Sequence, residues 1–205
     1  MLIILIWLGS LFPEKYFNVI EKCEEYPQNQ CVLLGEGHWV HYLKKYRSML
    51  NVTDDRITRM VLVERADVLR LLYIYDKGGL YTDLDNDIDY PCLYDFIGTR
   101  NESFFSQEQK QPQLPSNNLI FAPGPRDPKI KRVINLIQEC PTCEVLEFAS
   151  PYFLKRITVN FVDVKKCVNH LYHSTWFWWG DLEGQNISPA SAQAYAKCVK
   201  DLGNC

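Results

Sequence analysis

Near the middle of the chain a long segment of helical periodicity ends at Asp76-Lys77-Gly78-Gly79 and runs without a linker into Leu80-Tyr81-Thr82-Asp83-Leu84-Asp85-Asn86-Asp87. Met60–Tyr75 places Leu62, Ala66, Leu69, Leu72 and Tyr73 on one side, which predicts a helix with a buried face. Glycine just past such a run is a common helix stop, because it enters backbone conformations that other residues resist. Leu80–Leu84 then reads as a short buried strand that delivers carboxylates at its end.

The flanking segments repeat that grammar. Leu2–Leu8 reads as a strand ending at Gly9, Glu14–Glu25 as a helix, Gln30–Leu34 as a second strand and His38–Leu50 as a helix. Ser106–Ser116, with two prolines and four glutamines, reads as a polar surface loop. Asn118–Ala122 follows as a strand, Asp127–Glu139 as a helix, and Pro189–Leu202 as a helix with Ser188 as N-cap. Strands alternating with helices predict an α/β fold with a mainly parallel central sheet covered on both faces. At 205 residues, with no repeat or long linker, the chain reads as one domain, 1–205.

Composition narrows the partners. The net charge is −3 and no basic stretch occurs, which argues against nucleic acid as the main ligand. The apolar start, Met1–Leu8, is too short to span a membrane and lacks a basic leader, and no other segment is apolar enough to span. A cytosolic or excised domain is therefore expected, with a Golgi-type lumen as the alternative if an anchor lies outside these residues. Eight cysteines permit disulfides; Cys140-Pro-Thr-Cys143 lacks the second pair that structural zinc would need. Asn51, Asn101 and Asn186 each begin an Asn-x-Ser/Thr triplet, a pattern too common to fix the compartment.

Asp83 and Asp85 lie two apart, so on a continuing strand they would share a side, and at a strand end either can reach one hard cation. Mg²⁺ or Mn²⁺ held there keeps coordination positions open for phosphate oxygens. Asp-x-Asp by itself reads equally as a solvated acidic turn. A calcium loop would need a glycine and a later glutamate that are missing. The helix before the turn adds weight: Asp67 and Arg70, three apart, place opposite charges on a face that is otherwise apolar. A structural ion pair explains them as well as a site does.

The ordered block Ala66-Asp67-Val68-Leu69-Arg70, then Tyr75-Asp76-Lys77-Gly78-Gly79-Leu80-Tyr81-Thr82-Asp83-Leu84-Asp85, resembles the Asp-x-x-Arg…Gly-Gly-x-Tyr-x-Asp-x-Asp signature of glycosyltransferase family 32. Yeast-type initiating mannosyltransferases and the large clostridial glucosylating toxins carry that signature. Ile6-Trp7-Leu8-Gly9, Ser116–Pro123 and His170–Trp176 resemble further family segments, and the compact form resembles transferase domains of large algal viruses.

The resemblance implies a nucleotide-sugar-binding fold of the glycosyltransferase A type. Trp7 would stack on the base, uracil favoured, with Leu8 beside it. Asp67 and Arg70 would hold the donor sugar, with Arg70 near the diphosphate. Tyr81 would line the nucleotide pocket. Asp83 would contact ribose and metal, and Asp85 would be the direct metal ligand. Asn117 or Asn118 would face the sugar. His170, His173 or Ser174 would complete a Mn²⁺ or Mg²⁺ site, and Trp176 would close over the diphosphate. Thr175 separates Ser174 from Trp176, a departure from the family's Ser-Trp, which leaves His170 and His173 as alternatives. The implied reaction moves a hexose or deoxyhexose from a UDP-sugar to a hydroxyl of a glycan or glycoprotein acceptor. An inverting mechanism would need a carboxylate base, for which Asp87, Asp89, Glu108 and Asp181 are candidates. The competing expectation is a nucleotide-sugar or glycan-binding module without turnover.

Overall fold

Large apolar side chains that alternate along each strand build a central sheet in this computed structural model, which describes residues 1–9, 12–98, 100–109, 111–138, 149 and 151–170. The strands are β1 (Leu2–Ile6), β2 (Gln30–Leu34), β3 (Gly79–Thr82), β4 (Asn86–Ile88), β5 (Phe104–Gln107), β6 (Pro115–Ala122), β7 (Phe161–Val162) and β8 (Val168–His170). The helices are α1 (Phe17–Glu24), α2 (Glu36–Tyr46), α3 (Asp54–Thr58), α4 (Leu62–Lys77), α5 (Tyr90–Gly98), α6 (Pro128–Leu136) and α7 (Pro151–Arg156), with short 3₁₀ turns at Glu14–Tyr16 and Arg47–Met49.

Six strands order as β2-β1-β3-β6-β5-β7, and β4 pairs separately with β8. Every strand of the larger sheet runs the same way except β6, which is antiparallel to β3 and β5. The mainly parallel sheet is thus as expected. The polar stretch expected as a loop divides instead: its ends join β5 and β6, and residues 108–114 alone connect that hairpin. Strand β1 stops at Ile6, although burial continues through Leu8. The expected helix at Pro189–Leu202 and the Cys140/Cys143 pair lie outside the described residues.

Alternation sorts the core into two layers. Ile4, Ile6, Tyr81, Phe105 and Ile120 face α2, α4 and α6, whereas Ile3, Leu80, Phe104, Leu119 and Phe121 face the side carrying α5. Helix α4 lies against α2, α6, β1, β3 and β6, which accounts for its near-complete burial from Ala66 to Asp76. Leu69 and Leu72 are fully enclosed there; truncating either to alanine would cost about 2–5 kcal/mol.

The glycine pair is a steric requirement. Gly78 has φ +69° and Gly79 φ +95°. A Cβ on Gly78 would stand 2.6 Å from the Gly124 carbonyl carbon, and one on Gly79 2.6 Å from the Leu2 carbonyl oxygen. The chain must reverse from α4 into β3 while pressed against β1 and the turn after β6, and only hydrogen fits there.

Four charged side chains on α4, Glu64, Asp67, Arg70 and Asp76, are buried with the core. Asp76, at its C-terminal end, accepts hydrogen bonds from Tyr42 (3.0 Å), Lys45 (2.8 Å) and Tyr46. Burial pushes its carboxyl up, but these donors and Lys77 hold it well below the usual carboxylate range. This anchor lies at the end of α4 away from Asp67 and Arg70, which belong to the site below.

Candidate functional site

Strand β3 ends at Thr82, and the turn that follows carries the acidic pair. The Asn86 N–H donates to the Asp83 carbonyl (3.2 Å), which closes residues 83–86 into a turn. The Asp83 N–H donates to the Asn118 carbonyl on β6 (2.8 Å), and Asn86 Nδ2 donates to the same carbonyl (3.0 Å) and to Thr82 Oγ1 (2.9 Å). The carboxylates are therefore displayed on a turn clamped to two strands. Asn86 is buried, and its Oδ1 has no hydrogen-bond partner among the described residues.

Arg70 organises the wall behind the turn. Its Nη2 lies 2.8 Å from Asp67 Oδ1, while Nη1 reaches Asp83 Oδ1 (3.2 Å) and the Asn117 carbonyl (2.6 Å). The guanidinium sits 4.4 Å above the Tyr81 ring, a favourable cation–π placement. Tyr81 Oη donates to Asp83 Oδ1, and Asn117 Nδ2 donates to Asp67 Oδ1 (2.9 Å). Five residues singled out in the sequence, Asp67, Arg70, Tyr81, Asp83 and Asn117, thus form one hydrogen-bonded network. Asn118 joins it through its backbone, and its side-chain oxygen accepts from Ser106 Oγ (2.6 Å).

The network shares one guanidinium between two carboxylates. Burial pushes the Asp67 carboxyl up to about 7; Arg70 opposes the rise, and Asp83 and Glu64 add to it. The Asp83 carboxyl is pushed up to about 6, first by burial and then by Asp85 and Glu108, against the pull of Arg70. Because the Asp83 side chain is 32% exposed, water weakens the burial contribution there relative to Asp67. Burial holds the Tyr81 phenol well above its ordinary range, so it remains a hydrogen-bond donor.

Trp7 and Leu8 follow β1 and are both buried, Trp7 against the turn and Leu8 in the larger core cluster. Trp7 packs in a small cluster with Leu5, Tyr16 and Leu84, the residue between the two aspartates. Its ring meets Phe12 edge-on at 6.0 Å and Tyr16 at 6.1 Å. The chain returns to the turn at β8, where the His170 backbone pairs opposite Asn86, one residue past Asp85. His173, Ser174 and Trp176 lie outside the described residues, as does Asp181. Of the carboxylates considered as a base, Asp87 pairs with Lys22, and Asp89 accepts from the Cys92 N–H (3.1 Å) at the start of α5. Glu108, just beyond β5, is the one whose charge acts on Asp83. Among the described residues no group of three or more His, Cys, Asp or Glu side chains is placed to hold a metal.

Sequence reasoning missed Asn86, Thr82 and Ser106 as supports of the site. Their role comes from contacts between β3, β5 and β6, and no local pattern marks them.

Residues 13–104 match the family model described as a glycosyltransferase sugar-binding region containing a DXD motif. That span includes Asp67, Arg70, Tyr81 and the Asp83–Asp85 turn. Among solved structures, the chain is similar in fold to the PaToxG glycosyltransferase, with a TM-score of 0.53 and 16% identity. The likeness covers 76% of this chain and 66% of that one, so the chain spans just under two thirds of its neighbour's length. No curated protein matches the sequence. The family-model match covers under half of the chain, and the structural likeness shows an α/β fold shared with that glycosyltransferase.

Proposed function

We propose that the chain is a metal-dependent glycosyltransferase that moves a hexose or deoxyhexose from a nucleotide sugar, UDP-linked by preference, to a hydroxyl of a glycan or glycoprotein. The observation that carries this reading is the placement of the Asp67–Arg70–Asn117 network directly behind the Asp83–Asp85 turn, at the end of β3. A buried cation with two carboxylates can bind the hydroxyls of a sugar while leaving a donor N–H for a phosphate oxygen.

The residues present fit a hard divalent cation. Asp83 and Asp85 offer oxygen ligands, repel one another, and feel Glu108 as well, so positive charge between them relieves a real excess. Asp85 and Asp83 would hold Mn²⁺ or Mg²⁺, with His170, His173 or Ser174 as further candidate ligands. When bound, the cation supplies positive charge to the diphosphate leaving group. Arg70 holds the sugar end of the donor, oriented by Asp67 and by Tyr81 beneath it. Tyr81 and Arg70 keep Asp83 in place, and Trp7 borders the turn where a base would lie, with Leu8 following it in the chain. Trp176 is the candidate to cover the diphosphate. The leaving oxygen then departs into a positively charged setting while the sugar carbon gains oxocarbenium character.

Calorimetric titration of UDP with and without Mn²⁺, on wild type and Asp85→Ala, tests the reading. Binding that needs the metal and vanishes in the variant is the expected result. Wild-type protein that binds neither UDP nor GDP in the presence of Mn²⁺ would remove it.

A further inference from the structure

Among the described residues all four cysteines are paired. Cys23 on α1 bonds Cys31 on β2, and Cys92 on α5 bonds Cys167 just before β8, across 75 residues of sequence. Cys23 and Cys167 are buried with the core that faces α5. Such bonds persist in oxidising compartments and are rare where glutathione keeps thiols reduced. A second observation stands apart from the first. Asn51 in Asn51-Val52-Thr53 and Asn101 in Asn101-Glu102-Ser103 are both exposed.

We propose that the chain folds in an oxidising secretory lumen and carries N-linked glycans at Asn51 and Asn101. In that setting each disulfide forms by exchange: two thiols give up two protons and two electrons to the disulfide of a carrier protein, which leaves as a dithiol. Glycan transfer joins Asn Nδ2 to the anomeric carbon of a lipid-linked oligosaccharide diphosphate. The C–O bond to the diphosphate breaks, the diphosphate leaves with the electron pair, and the amide nitrogen loses one proton.

The fold places a glycan at Asn101 at the end of the sheet away from the acidic turn. Asn101 precedes β5, which runs parallel to β3, so it lies where those strands begin, whereas Asp83 and Asp85 follow the end of β3. Phe104 stands opposite Phe121, which in turn stands opposite Leu80, near the start of β3. Asn51 lies beyond α2, where its backbone bridges to the segment after α6.

The fold also sets the order of events. The Ser103 hydroxyl is buried and donates to Asp127 (3.1 Å), whose carboxylate caps α6 through the Lys129 and Ile130 N–H groups. Thr53 Oγ1 accepts from the Arg56 N–H (3.2 Å) to cap α3. The Ser103 hydroxyl that an Asn-x-Ser/Thr transferase must read is thus consumed by folding, so glycan addition at Asn101 comes first, whereas Thr53 stays exposed.

The full chain, secreted from eukaryotic cells behind a cleavable leader in an Asn186→Gln background, provides the test. Glycopeptide mapping of this protein is expected to find glycan at Asn51 and Asn101, with Asn51→Gln and Asn101→Gln each removing one glycosidase-sensitive mobility step. Alkylation without reduction is expected to leave Cys23, Cys31, Cys92 and Cys167 unlabelled. Secreted, folded protein without glycan at either asparagine, or with these four cysteines labelled, would overturn the proposal. Chain folded first and then offered to microsomes is expected to gain no glycan at Asn101; equal addition before and after folding would refute the order. Peptide mapping needs no variant, so a substitution that fails to fold leaves the test intact. The outcome is independent of UDP binding.

Discussion

Asp67→Asn should raise the stability of the ligand-free protein while weakening donor binding, and the gain should grow with pH. Asp67 is almost fully enclosed, and its carboxyl is raised from 3.8 to about 7. A folded-state value above the unfolded one means that the native protein holds the extra proton, so this group's contribution is fully present below about pH 4. Stability is then lost as pH rises from about 4 to about 7, at ~1.4 kcal/mol per unit, or about 4 kcal/mol for an isolated group. Asp83 titrates together with Asp67 and shares the fixed Arg70 charge with it, so about half of that, ~2 kcal/mol, is the working figure. An asparagine oxygen can still accept from Arg70 Nη2 and Asn117 Nδ2 without the buried charge. At ~2–4 °C per kcal/mol for a chain of this size, the variant should melt about 4–8 °C above wild type at pH 8 and match it near pH 4. Scanning calorimetry across that range on both proteins measures the difference. A melting difference that stays constant with pH, or a variant less stable at pH 8, would show that Arg70 keeps Asp67 fully ionised and that the burial argument is wrong.

Other substitutions probe the supports. Asp76→Asn should cost about 3 kcal/mol at pH 7 because it strips charge from a carboxylate held by two tyrosines and a lysine. Since the folded carboxyl sits low, that deficit should shrink as pH falls below about 4, which acid titration of both proteins would reveal. Asn86→Ala should cost about 1–3 kcal/mol by removing both side-chain bonds that clamp the acidic turn, and it should weaken Mn²⁺-dependent UDP binding in calorimetry. Gly79→Ala meets both a positive φ and a carbonyl 2.6 Å away, so more than ~3 kcal/mol should be lost, seen as a sharp drop in denaturant midpoint. Asp85→Ala, by contrast, should leave the melting temperature near wild type while abolishing metal-dependent nucleotide binding.

Local signals made the first half of the chain readable. Gln30–Leu34 is a strand with the bounds its apolar run predicts, and α4 spans nearly the residues its periodicity marks. The glycine pair declared the reversal into β3, because few other solutions join a buried helix directly to a buried strand. The short or mixed segments were harder. In β5, Phe104 and Phe105 are followed by Ser106 and Gln107, so its apolar run is only two residues long and a polar loop was the natural reading. Helix α5 begins with Tyr90-Pro91-Cys92, and its helical spacing is obscured by apolar residues on several sides.

Sequence alone determined the α/β class, the acidic turn at a strand end, and the identity of the charged pair three residues apart on the preceding helix. These depend on spacing along one chain segment, which periodicity reports directly. Only the tertiary structure decided that β6 runs against its neighbours, that Cys23 meets Cys31 and Cys92 meets Cys167, and that Asn117 bridges from β6 to the Asp67 carboxylate. It also gave Arg70 two carboxylates where the sequence offered one, and it assigned Asn86 the task of clamping the turn. Those pairings join residues distant in sequence, and their partners are chosen by how layers pack, a choice that no local pattern of residues encodes.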